Sequence, residues 1–268
     1  MHYMLKHIKR TVLAQYLKEY LENRPFFMSL IRPQEAYFFY HFSHLVKRPI
    51  LDLGCGDGFF IKTAYPKKSI DIGLDLLNSR AEQSRPLNIY SKLLYFDGVH
   101  IPKKDNSVQT VVSNCVLEHV EKIFPLLKDT ARVLKPGGYF LTSVMAAAWE
   151  DNLLGTRIAG KWYRSFMKRK QDHHNLLTEK EWTQLFKKAG FEIVEVHGYV
   201  SPRNARLLDL AHYLSAPSLP SHALLKRWVA WKQWHEPMKV IQRVLPILEE
   251  SMTTRHNSSA YFYVLRKK

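Results

Sequence analysis

Three glycines at alternate positions, Gly54, Gly56 and Gly58, follow the apolar run Ile50-Leu51-Asp52-Leu53 and precede Phe59-Phe60, with Cys55 and Asp57 between them. A backbone without side chains at three such points turns sharply and lets a ligand lie directly against the main chain. A helix opening at Phe59 would aim its free N–H groups back at that ligand, which suits a carboxylate or phosphate. A dinucleotide fingerprint requires Gly-x-Gly-x-x-Gly, and here the place of its last glycine is held by Phe59. Acids recur downstream: Asp75 closes the run Ser69-Ile70-Asp71-Ile72-Gly73-Leu74, and Asp97-Gly98 closes Leu93-Leu94-Tyr95-Phe96. An acid at the end of the next strand, about 20 residues past the turn, is where a ribose diol is held. Either acid alone reads equally as a strand-end turn residue, but strand ends bearing Asp52, Asp75 and Asp97 in succession make a pattern. His119, His173 and His174 are the candidate bases, because imidazole titrates near neutral pH.

The elements that must position these residues alternate between strand and helix. Ile50–Leu53 suits a central parallel strand covered on both faces. A second strand is expected over 69–75, a third over 93–96, and a fourth over Val108-Gln109-Thr110-Val111-Val112-Ser113-Asn114, running into Cys115-Val116-Leu117-Glu118-His119. An amphipathic helix follows, and Leu134-Lys135-Pro136-Gly137-Gly138 closes it and restarts a strand. Thr178 with Glu181 three residues on forms a capping box for a helix that ends at Gly190, before a strand at 191–196. A last strand is expected at Ala260–Leu265.

From Pro49 to Val144 the chain resembles the class I S-adenosylmethionine (SAM)-dependent methyltransferases, and within them the type 11 family. The Asp52-x-Gly54-x-Gly56-x-Gly58 turn resembles that family's first motif, and the Leu-Lys-Pro-Gly-Gly turn is characteristic of it. The helix-Ala189-Gly190-Phe191-strand unit resembles it again. The resemblance implies an α/β, Rossmann-like class I fold with a seven-stranded, mostly parallel sheet whose final strand is antiparallel. It implies SAM as cofactor, with Gly54 and Gly56 presenting the turn to the methionine moiety, Asp52 supporting the loop and its amino end, Asp75 on the ribose and Asp97 on the adenine. Cys55, Gly58, Leu76 and Gly98 flank these positions, and Asn114 would offer a carbonyl near the amino group. No metal is expected in the site. His119 lies close to where the methyl group would sit, though a helix N-terminal residue touching no substrate is as simple a reading. His173 and His174 reach the site only if the segment before the capping box folds as a lid.

Residues 1–46 read as a helical extension, with Leu5, Ile8, Val12, Leu13, Tyr16, Leu17 and Tyr20 at helical spacing. The aromatic cluster at 37–42 is expected to pack across the sheet, with a substrate pocket as its other reading. The SAM-binding core spans 47–200 with an insertion at about 145–177, a helical insertion fills 201–258, and 259–268 holds the final strand. Both insertions follow strands, and the first leaves the C-terminal end of the fifth, the edge where open α/β sheets bind ligands, so they are the expected substrate lid.

At 268 residues the chain can bury a large core, and its two cysteines form neither a disulfide framework nor a metal pattern. No apolar run reaches the roughly 18 residues of a membrane span, and Lys6, Lys9 and Arg10 interrupt the N-terminus, so a cytoplasmic protein is expected. The net charge is +16. Residues 49–148 hold twelve basic against ten acidic side chains, so the flanks and insertions carry the excess. Basic flanks favour an RNA or other anionic partner, yet Asn114-Cys115-Val116-Leu117 differs from the Asn-Pro-Pro-Tyr exit used on base amino groups. A small-molecule or lipid/saccharide-linked acceptor therefore comes first, RNA or protein second, and a non-catalytic SAM binder third. On a helix Leu224, Trp228 and Trp231 would share a face, with Lys226, Arg227, Lys232 and Trp234 around them, which suits either packing over the core or peripheral contact with an anionic membrane.

Overall fold

The structure is a computed structural model that describes residues 8–225, 227–229, 237–253 and 257–268. Seven strands form one sheet: β1 (Ile50–Leu53), β2 (Ile70–Leu76), β3 (Tyr90–Phe96), β4 (Val108–Asn114), β5 (Leu134–Met145), β6 (Phe191–Tyr199) and β7 (Ala260–Lys267). Their order is β3-β2-β1-β4-β5-β7-β6, and β7 alone runs antiparallel, against both β5 and β6. This is the Rossmann-like methyltransferase topology that the sequence implies. The order reverses beside β1, so the connections leaving the paired strands β1 and β4 go to opposite faces of the sheet and leave a crevice at their C-terminal ends.

The strand side chains alternate between two apolar layers, as the period of two demands. Ile50, Val112, Leu141 and Phe262 point into one core, while Leu51, Val111, Phe140 and Tyr263 point into the other. The second core is roofed by α4 (Ile123–Val133) and α7 (Glu179–Ala189). Thr178 and Glu181 form the expected reciprocal cap of α7, and Gly190 ends it at φ 105°.

The first core is roofed by α1 (Arg10–Asn23), α2 (Arg32–His41) and the short α3 (Phe59–Ala64), joined by α8 (Pro202–Leu214) and α10 (Pro237–Thr253). Pro33 sits in the first turn of α2, where a missing N–H costs nothing, and so starts a helix instead of breaking one. The 37–42 cluster packs onto the sheet: Phe38 and Phe42 stack on Phe262 and Phe39 meets it edge-on. Of the predicted N-terminal helix face, Leu5 lies outside the described residues.

The Pro136-Gly137-Gly138 turn is folded into β5 as an irregularity, not a break. Val108 faces Leu134 and Thr110 faces Tyr139, so the intervening residues loop out, with Gly137 at φ 72°. The first insertion forms α5 (Ala148–Asn152) and α6 (Leu154–Lys170), which is kinked at Gly160 (φ 58°, ψ −140°), and its ends are closed by a bridge between Ala146 and Leu177. The second begins with α8 and α9 (Ser218–Leu225). The shared face for Leu224 and Trp228 does not form. α9 stops at Leu225, Ser221 Oγ donates to the Arg227 carbonyl at 2.7 Å, and the Trp228 ring folds back onto His222 at 3.9 Å. Lys226, Trp231, Lys232 and Trp234 lie outside the described residues. Among the described residues no helix is long and apolar enough to cross a membrane.

Candidate functional site

A cavity of about 870 Å³ opens at the C-terminal ends of β1 to β4. Its floor is the glycine turn. The amides of Gly54 and Cys55 donate to the Leu74 carbonyl (2.8 and 3.1 Å), and Gly56 N–H donates to Asp75 Oδ2 at 2.7 Å. Gly54 stands at φ 74°, and a Cβ there would come 2.4 Å from Val116, so only glycine lets the turn pass beneath the β4 exit. A Cβ on Gly56 would meet nothing within 4 Å, so the turn has open space above it. Gly58, also left-handed, caps α3 and is crowded by Ser84 and Tyr90; its place is in packing.

Gly54, Asp75, Leu76, Asp97 and Gly98 line this cavity. Asp75 also accepts from Leu76 N–H. Asp97 accepts from the His100 amide, the His100 ring and the Val99 amide, and these donors hold its carboxyl below the usual carboxylate range. Asp52 lies behind the turn, where burial, helped by nearby Asp75, pushes its carboxyl up to about 7 despite a 2.6 Å hydrogen bond from Tyr90. Cys55 is buried, and burial raises its thiol well above the ordinary value. The Asn114 side chain turns from the cavity: its Nδ2 donates to Glu35 (2.9 Å) and its Oδ1 accepts from Ser143 (2.7 Å).

A second cavity of about 260 Å³ meets the first at Cys115 and His119, which line both. Besides Met145 and the β4 exit, its walls come from additions to the minimal fold: Phe27, Met28, Ile31 and Arg32 before and in α2, Trp149 on α5, Met167 on α6, and Leu208 and His212 on α8. Behind the wall Glu35, fully buried, accepts from Arg32 (2.7 Å), Asn114, Tyr199 (2.9 Å) and the Cys115 thiol (3.2 Å). That network ties α2 to the ends of β4 and β6.

The structure brings His119 and His173 together and separates them from His174. The first two rings lie 5.1 Å apart, both lining the second cavity. His119 Nδ1 is 3.1 Å from the Asp172 carbonyl, which places the proton on Nδ1 and leaves Nε2 with its lone pair. Burial lowers His119, and burial with the neighbouring His119 lowers His173 to about 4, its Nδ1 lacking a partner among the described residues. His174 lines neither cavity; its ring is 3.2 Å from Asp172 Oδ1, while its amide and that of Asn175 clip the insertion to the Glu118 carbonyl.

The residue that sequence reasoning passed over is Glu118. It lines the second cavity, is fully buried, and among the described residues neither carboxylate oxygen has a hydrogen-bond partner. Burial pushes it up to about 7. Its position between Leu117 and the singled-out His119 was the signal available.

A family model described as a methyltransferase domain matches residues 8–196. The chain is 27% identical over 195 residues to the "Probable S-adenosylmethionine-dependent methyltransferase" of Mycolicibacterium smegmatis, covering 71% of this chain and 68% of the relative. It is 32% identical over 104 residues to a malonyl-[acyl-carrier protein] O-methyltransferase of Yersinia pestis, 39% of either chain. The fold is similar to that of an S-adenosylmethionine dependent methyltransferase from Mesorhizobium loti, with a TM-score of 0.53 at 17% identity, over 85% of this chain and 96% of that one.

Proposed function

The chain belongs to the methyltransferase-domain family and is a SAM-dependent methyltransferase, and from that premise we propose that its acceptor is a small molecule or a lipid- or saccharide-linked group held in the second cavity. The observation that carries this reading is the meeting of two cavities at Cys115 and His119, one floored by the glycine turn and one walled by thioether and aromatic side chains. Pockets of this kind, apolar with a few placed polar groups, take small acceptors.

The first cavity suits the cofactor on its own features: Gly54 of a turn that has open space over Gly56, and acids at two strand ends. Gly54 and Gly56 with Cys55 would hold the methionine end, Asp75 with Leu76 the ribose, and Asp97 with Gly98 the adenine. Asp52 and Gly58 support this loop from behind, and Asn114 acts through Glu35, fixing the wall that both cavities share. When bound, SAM supplies a sulfonium methyl that an acceptor lone pair attacks in line.

The protein's own share is positioning and proton removal. Glu118, raised to about 7 and without a donor of its own, is placed to take the acceptor's proton. His119, with Nε2 free of its proton, stands beside it, and His173 lines the same wall as a neutral ring.

The test uses SAM labelled on its methyl, offered with a lipid extract, a small-metabolite extract, bulk RNA and bulk protein. Label entering the lipid or metabolite fraction, and lost in Met167→Arg, which fills the second cavity with charge, is the expected result. Label entering RNA or protein instead refutes the acceptor assignment.

A further inference from the structure

We infer that the outer face of α6, α8 and α9 is a docking surface for an anionic lipid bilayer. Apolar side chains that a soluble protein would bury stand outward here: Ile158 is 78% exposed, Trp162 68%, Leu214 66% and Leu224 82%, joined by Leu210 and Tyr213. The exposure is not scattered. α6 and α8 are clamped side by side through buried Tyr163, whose hydroxyl bonds Asp209 at 2.5 Å and Tyr213 at 2.8 Å. Trp162 stacks on Phe166, and Lys170 over both the Phe166 and Tyr213 rings joins that stack to the end of α8, where Leu210 and Leu214 stand one turn apart. α9 has no buried residue at all, although half of its eight side chains are apolar.

Charge selects the occupant. α6 carries six basic residues and no acidic one, and its last turn is Lys168-Arg169-Lys170. Arg164 is spent on Glu150 and Asp151 (3.2 and 3.0 Å), one cation facing two acids, and Asp172 just past the helix pairs with His174 (3.2 Å). Lys170 lies over the Phe166 and Tyr213 rings at 5.7 and 5.6 Å, so cation and aromatic are presented together. Outward Trp, Leu and Ile beside Lys and Arg match the boundary between acyl chains and anionic headgroups, where each part finds its own solvent. Nucleic acid would satisfy the cations but leave Ile158, Leu214 and Leu224 in water.

The inner sides of the same helices, through Met167 and Leu208, wall the second cavity. A lipid-borne acceptor would thus reach it from the docked face. That route rests on the acceptor reading above; the docking does not, and it is measured without turnover.

The experiment is vesicle co-sedimentation of the full chain with phosphatidylglycerol-containing or pure phosphatidylcholine vesicles, at low and high salt. The expected result is preferential binding to the anionic vesicles that weakens with salt. The double variants Trp162→Ala with Leu214→Ala, and Lys168→Glu with Arg169→Glu, are each expected to lower partitioning by about tenfold or more. Both should leave calorimetric binding of S-adenosylhomocysteine unchanged, which shows that they fold. Absence of binding to anionic vesicles overturns the inference, and so does binding that neither variant changes. A single-stranded RNA that binds more tightly than the vesicles, and is lost in the charge variant but not the apolar one, assigns the face to nucleic acid and overturns it as well.

Discussion

Replacing Glu118 by glutamine removes a buried charge while keeping the shape of the side chain. Folding takes this carboxyl from its ordinary 4.5 to about 7 because it is desolvated with no donor at either oxygen. Between those two values the folded chain holds a proton that the unfolded chain has released, so stability falls as pH rises. At about 1.4 kcal/mol per pH unit for one proton, the loss amounts to about 3 kcal/mol, complete once the pH passes the folded value. The contribution is fully present below the unfolded value and absent above the folded one. Glutamine does not titrate, so the difference in unfolding free energy between Glu118→Gln and the parent should shift by about 3 kcal/mol in favour of the variant between about pH 4 and about pH 8. Asp52, raised for the same reason, is present in both proteins and cancels. Urea unfolding of both proteins without cofactor, followed by tryptophan fluorescence across that range, reads the shift. Parallel pH curves would show that the carboxyl is solvated or paired in the folded chain and refute the reasoning. On the proposed base role, the same variant should also lose most methyl transfer while keeping its affinity for SAM.

Asp75→Ala, which removes the acceptor from Gly56 N–H and the cavity's rim carboxylate together, should weaken SAM and S-adenosylhomocysteine by roughly 1–3 kcal/mol in calorimetry. Gly54→Ala forces a left-handed alanine against Val116 and should cost roughly 1–3 kcal/mol in thermal unfolding, with cofactor affinity falling in parallel; a neutral result would mean that the turn relaxes freely. Glu35→Gln leaves the Arg32 guanidinium in the wall without its countercharge and should destabilise by about 3–5 kcal/mol, readable as an early denaturant midpoint. Chelation with EDTA should leave SAM binding unchanged by the same calorimetry.

Much of the first cavity was legible because its signals are local. β4 begins and ends where the apolar run does, β1 likewise, and the glycine turn sits where three missing side chains require it. The Thr178 cap and the Gly190 stop depend on residues three to four apart and formed as expected. The shared face of Leu224 and Trp228 failed for the opposite reason. Helical spacing says which residues would share a side if the helix continued, but a Trp228 ring stacked on His222 and a Ser221 hydroxyl on the Arg227 carbonyl end it.

The sequence by itself determined the glycine turn and the strand ends that bear acids, which follow from short-range patterning and backbone sterics, and the likeness of those motifs to the class I methyltransferases supplied the fold family and the cofactor. Tertiary structure alone built the second cavity. Glu35 meets Tyr199 across 164 residues, and the second cavity draws its walls from three separate additions to the sheet. His173 and His174 are neighbours in sequence, yet one lines that cavity and the other turns to Asp172. Glu118 stands apart from both its neighbours because of what the folded chain withholds from it. A carboxylate's charge depends on every donor and water molecule within a few ångströms, and that environment exists only once the whole chain has closed around it.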